Sequence, residues 1–197
     1  MNTPNAFLIL YNVVASLGYL FVFLRYFIMA VEVVWTIIAL LNIWGLTTAH
    51  SNGQMNKLFP SQAQPTMASA WFQLFIAGAL FVLALNLLPA TLFSAILTGS
   101  TDAVQNYSVG SYNPDPTASQ IQSLTKGLIQ SLMALIGLLA FYRGFVTWWQ
   151  ISQGTSNQGM GRVLGFFVFG ALAFNFFWVN DVLSSITGMN FLKAILG

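Results

Sequence analysis

The sequence predicts an all-α, polytopic transmembrane helical protein. About four spans are expected, in two parallel two-helix repeats with a long first helix. Three observations predict this. The 197 residues are 57% hydrophobic with a mean hydropathy of +0.74, and only ten are charged, six Lys+Arg and four Asp+Glu. Soluble domains carry about 25% charged residues, so ten charges leave a water-facing surface uncovered. The apolar residues gather in tracts long enough to cross a bilayer. The same polar marks recur in the same order in both halves of the chain.

The start of the chain has no Lys or Arg over residues 1–6, so the positive flank of a secretory signal is missing. The first apolar tract, about residues 6–49, therefore reads as retained. It is interrupted by Arg25 and Glu32. As one helix it would be about 64 Å long, twice a bilayer core. A turn at Arg25 has no chemistry to make it, because no Gly, Pro, Asn, Asp or Ser stands between Tyr19 and Thr36. The reading is one span, about 26–46, preceded by a continuous or bent amphipathic extension, with Asn12, Ser16 and Gly18 the places where it would bend; a five-span division stays open.

Residues 48–64 form a polar loop with Asn52-Gly53, Lys57 and Pro60. Span two follows over about 70–97, with a kink or end near Pro89. The polar loop 100–123 contains Asn113-Pro114-Asp115-Pro116, which forces turns. Span three covers about 124–151 and contains Arg143. A glycine-rich connection, 152–162, leads to span four at about 163–186 and a short apolar tail.

The chain reads as a single membrane domain, 1–197, with repeat 1 at 19–99 and repeat 2 at 124–188. Ser51-Asn52-Gly53-Gln54-Met55 matches Ser156-Asn157-Gln158-Gly159-Met160. Val82-Leu83-Ala84-Leu85-Asn86-Leu87-Leu88 matches Ala171-Leu172-Ala173-Phe174-Asn175-Phe176-Phe177. Asn86 and Asn175 are each followed thirteen positions later by the Gly of a Thr-Gly pair, Gly99 and Gly188. Two spans per unit make the repeats parallel.

Eight residues stand out as helix-packing or buried polar candidates: Arg25, Glu32, Asn86, Arg143, Gly161, Gly165, Asn175 and Asp181. Arg143 lies about eight residues inside the end of its span and must face protein, water or a snorkelling path. Either it lines an ion or substrate pathway, or it snorkels or pairs inside an assembly. Glu32 and Asp181 fall at similar depths near Arg25 and Lys126, which favours ion pairing over a proton relay; Glu32 is expected to meet a cation from another helix or subunit. Asn86 and Asn175 read as interhelical hydrogen-bond glue, worth on the order of 1 kcal/mol each. Gly161 and Gly165 form a GxxxG, and Ala140 to Gly144 is a second pair of small residues at that spacing, both suggesting close helix packing. His50 reads as a solvated interfacial side chain, and the six Trp as an aromatic belt.

Catalysis is not expected. Without Cys there is no thiolate site, and one His cannot make a multi-histidine metal centre. No phosphate-binding glycine loop or nucleophile–base pair is present, so no cofactor, metal or enzymatic activity is predicted. No basic patch with interleaved aromatics suggests direct nucleic-acid binding.

The long apolar first segment ending at His50 and Asn52, Pro65 before Phe75-Ile76-Ala77-Gly78-Ala79-Leu80, then Tyr142-Arg143-Gly144, the turn Ser156 to Gly161, and Gly170-Ala171-Leu172-Ala173-Phe174-Asn175 carry a resemblance. Together they resemble small inner-membrane components of type IVB secretion and IncI-type conjugation systems, the IcmC/DotE, DotV and TraQ-like proteins. The chain departs from that group at Thr47-Thr48, where a more basic turn is the group's habit. The resemblance implies a multi-pass, non-enzymatic structural subunit in a bacterial inner membrane, with other complex subunits and the lipid bilayer as partners. The alternative is a small homo-oligomeric membrane channel or transporter, which would place Arg143 and the Asn residues on a water-filled path.

Overall fold

The computed structural model describes residues 6–52, 66–99 and 117–188. Every element among them is a helix: α1 (Ala6–Asn52), α2 (Met67–Asn86), α3 (Leu88–Thr98), α4 (Ala118–Ser152), α5 (Met160–Phe174) and α6 (Phe176–Thr187). Three helical stretches are long and apolar enough to cross a membrane: Phe7–Thr48, Met67–Asn86 and Ser119–Ser152. A fourth crossing is reached if α5 and α6, bent by 87° at their junction, count as one broken span. The loop residues 53–65, residues 100–116 with Asp102, Asp115 and the turn at 113–116, and the tail from 189 with Lys193 lie outside the described residues.

α1 is one uninterrupted helix of 47 residues. Of the two expected forms of the extension, continuous or bent, it is the continuous one, unbroken at Asn12, Ser16 and Gly18, and the five-span division is not realised. In apolar surroundings a broken helix leaves peptide groups without partners, and three isolated weak residues do not offset that cost. The helix also runs on through His50 to Asn52, past the predicted loop start.

α2 begins at a reciprocal cap. Thr66 Oγ1 accepts from the Ser69 amide at 3.1 Å, and Ser69 Oγ accepts from the Thr66 amide at 3.0 Å. The expected kink or end near Pro89 is a break: α2 stops at Leu87, two residues before Pro89, and the predicted second span continues as α3. Leu87 takes the left-handed conformation (φ 59°), and its amide donates to Leu83 O at 3.0 Å. Pro89 then sits in the first turn of α3, where its missing N–H leaves no carbonyl unpaired.

The predicted fourth span is broken too, at Asn175, the residue before α6. An Asn whose side chain bonds its own helix carbonyl competes with the backbone ladder. α3 and α6 both end at a glycine in the left-handed region, Gly99 (φ 73°) and Gly188 (φ 70°). A Cβ there is strained, so both Thr-Gly pairs act as helix stops.

The backbone groups into two compact units. The first comprises Met1–Leu24, Ala90–Leu139 and Phe169–Gly197; the second comprises Arg25–Pro89 and Ala140–Val168. Each draws on both halves of the chain, so the units do not coincide with residues 19–99 and 124–188.

In the first unit, Phe174 of α5 lies over Gly137 of α4. A Cβ on Gly137 would meet Phe174 Cδ2 at 2.8 Å and the Gly170 carbonyl at 3.0 Å. Val14, Ala90, Leu138 and Ala171 are buried there. In the second unit, α1 and α2 run antiparallel. Asn42 pairs with Gln73 near the start of α2, and Arg25 pairs with Ala84 near its end. α4 and α5 meet at Gly144, where a Cβ would fall 2.5 Å from Phe167 Cε1. Trp35 of α1 stacks on Trp149 of α4 at 4.6 Å.

Candidate functional site: polar side chains in the apolar helices

In the second unit, Arg25 is half-buried. Its Nε donates to Ala84 O at 2.7 Å and its Nη2 donates to Leu85 O. Those carbonyls belong to the last turn of α2, where intrahelical donors run out and the helix dipole is negative. The guanidinium therefore closes the open end of α2 and gains a diffuse counter-charge, without a carboxylate.

Glu32, seven residues on, is 7% exposed. Its Oε1 accepts from Thr36 Oγ1, one turn ahead, at 2.6 Å. No cation from another helix lies beside it among the described residues.

Asn42 Nδ2 donates to Gln73 Oε1 at 2.9 Å, and Gln73 is 1% exposed. Sequence reasoning passed over this pin. A Gln inside an otherwise apolar crossing helix was the available signal.

Trp148 Nε1 is buried without a hydrogen-bond partner. Its ring is enclosed edge-on by Phe72, Phe75 and Phe167, with Phe145 stacked beside it. Aromatic faces are weak acceptors and compensate part of the desolvation of that N–H.

Arg143 is exposed on α4, and Thr147 Oγ1 donates to the Arg143 carbonyl at 2.9 Å. Its guanidinium meets no acceptor among the described residues. Gly161 and Gly165 are exposed, and a Cβ added at either would meet nothing within 4 Å. The expected GxxxG packing is therefore absent among the described residues of this chain. Close packing falls on Gly144, as the Ala140–Gly144 pair suggested, and on Gly137, because the buried face of α4 presents these two glycines, seven residues apart, to Phe167 and Phe174 of α5.

In the first unit, Asn175 is 3% exposed. Its Nδ2 donates to Ser94 Oγ of α3 at 2.6 Å and to Ala171 O at 2.8 Å. One amide thus ties the α5–α6 break to α3. Ser94 was not singled out from sequence, since one Ser in an apolar helix looks neutral.

Asn86, its counterpart by sequence, is exposed. Its Oδ1 accepts from the Leu88 amide at 3.0 Å. It acts locally as a cap for α3, not as interhelical glue, because the αL residue after it turns the chain there. Asp181 is also exposed rather than buried, with Asn180 Nδ2 at 3.4 Å from its Oδ1.

Among the described residues, no three His, Asp or Glu side chains gather into a metal-holding group. The polar groups act chemically as fasteners that close helix ends and join helices. No family model, no curated protein and no solved structure matches the chain.

Proposed function

We propose that the chain is a non-enzymatic structural subunit of a multi-protein membrane machine, of the type IVB secretion or IncI-type conjugation class, in a bacterial inner membrane. The observation that carries the assembly reading is α1. Its apolar stretch of 42 residues is about 63 Å long, against a bilayer core of about 30 Å. Only 17% of its most apolar window is buried within the chain, against 39% for α2 and for α4. Lipid can cover about half of such a helix, and the remaining apolar surface calls for protein. The machine class and the inner membrane rest on the resemblance of the quoted residues.

The same reading takes the two halves as an internal repeat. Two facts support it: a helix break at each matched Asn, and a left-handed glycine ending each short helix that follows.

The test is a mild-detergent pull-down of the tagged protein from its native membrane, with mass spectrometry of what accompanies it. Recovery with a secretion ATPase, lipoproteins and other small membrane subunits supports the proposal. Recovery alone, as a uniform homo-oligomer, sinks it in favour of a channel, which an Arg143→Ala flux assay in liposomes then examines.

A further inference from the structure

We propose that Arg143 anchors a docking face on α4 for a transmembrane helix of another protein, one that carries an Asp or Glu within its apolar span. This inference rests on the assembly reading and names the residue and the chemistry through which one partner is held.

Depth comes first. Gly144, next in sequence, faces Phe166 and Phe167, the middle of the 15-residue α5. Position 143 is thus about 11 Å from either end of α5 at 1.5 Å per residue. It is also nine residues, about 14 Å, from the end of α4 at Ser152. That is beyond the reach of an extended Arg side chain to the helix end.

Orientation comes next. Phe141, Gly144 and Phe145 are buried, whereas Arg143 is exposed, so the guanidinium points away from the packed face. Gln150, seven residues on and on the same side, is exposed as well. A guanidinium has five N–H donors and no acceptor. Left facing hydrocarbon, it is one of the most costly groups a membrane helix can present.

The described residues do not supply the counter-charge. The chain has four acidic residues, Glu32, Asp102, Asp115 and Asp181. Glu32 is buried and engaged by Thr36. Asp102 and Asp115 lie outside the described residues. Asp181 sits on a 12-residue helix set at 87° to α5, too short to cross by itself. A second copy therefore brings no exposed carboxylate on a straight crossing helix among the described residues, and we assign the complement to a different chain.

The experiment places a photo-crosslinking amino acid at Gln150 in the full chain, expressed in its native membrane. The expected result is one discrete adduct with another protein, mapped by mass spectrometry to an apolar segment containing Asp or Glu. Its yield falls at least about tenfold in Arg143→Gln and is kept in Arg143→Lys, because a desolvated charge pair is costly to half-remove. Since the Arg143 guanidinium bonds to nothing among the described residues, Arg143→Gln should melt in detergent at the wild-type temperature, which separates lost docking from lost folding.

An adduct insensitive to the charge at 143, an adduct with a second copy, or an adduct with lipid alone overturns the proposal. Co-purification of the machine alongside any of these leaves the subunit reading standing while this inference fails.

Discussion

Asn175 does its structural work at the α5–α6 break of the first unit. Its amide spans the α5–α6 break and reaches Ser94. Asn175→Ala leaves the Ser94 hydroxyl buried without that donor, and is expected to cost about 1–3 kcal/mol in a detergent melt. A double-mutant cycle with Ser94→Ala should return a coupling of about 0.5–1.5 kcal/mol. Additive effects would show that the bond does not contribute. Arg25 makes the parallel case in the second unit. Arg25→Gln removes charge-assisted bonds to the last turn of α2 and should cost about 1.5–3 kcal/mol. Arg25→Lys should recover part of that, because an ammonium still answers the negative helix end but lacks the planar fork.

At the level of the helix pair, α4 and α5 approach closely where glycine faces phenylalanine. Gly137→Ala should destabilise by about 1–3 kcal/mol, since a Cβ there meets the Gly170 backbone carbonyl as well as a ring. Gly144→Ala meets Phe167 first and should be milder if that ring can rotate aside. Gly165→Ala should instead gain about 0.5–1 kcal/mol in the isolated protein, because the site is open and alanine is the better helix former. Thermal melts of the three variants decide this. If Gly165→Ala is as damaging as Gly137→Ala, the assignment of the close-packed face is wrong. The GxxxG motif was visible in sequence, yet the pattern says only that two small residues share a face. Which face meets a neighbour depends on the rotation of α4 and α5 about their axes, which the packing of Phe141, Phe145 and Phe167 sets.

At the scale of the whole molecule, the length of α1 is the feature with the widest consequences. The chain has no Cys, so each introduced one is a unique reporter. A cysteine scan along α1 in purified, reconstituted protein should find one protected block of about 20 consecutive residues, the bilayer-embedded part, and labelling elsewhere. In native membranes the labelled part should become protected by partner protein. Protection over all 42 residues in the reconstituted sample would contradict the helix exceeding the bilayer. The scan also reads out which part of α1 lipid covers, and so tests the span expected at about 26–46.

The sequence by itself determined the class of this protein. Ten charges in 197 residues exclude a water-facing globule, and an apolar tract without turn residues around Arg25 must continue as helix. It also marked Asn86, Asn175 and the Thr-Gly pairs as special, because polar and flexible residues are rare in such surroundings. Tertiary structure decided what each mark does. Identical Asn residues became a local cap in one half and a buried interhelical bond in the other, since only Asn175 has a hydroxyl, Ser94, brought beside it by a helix 81 residues away. Arg25 found the end of α2, while the Arg143 guanidinium found no acceptor among the described residues. Local sequence governs where a helix can form or stop. The partner of a buried polar group is set by elements distant in the chain, and no pattern along the chain encodes that meeting.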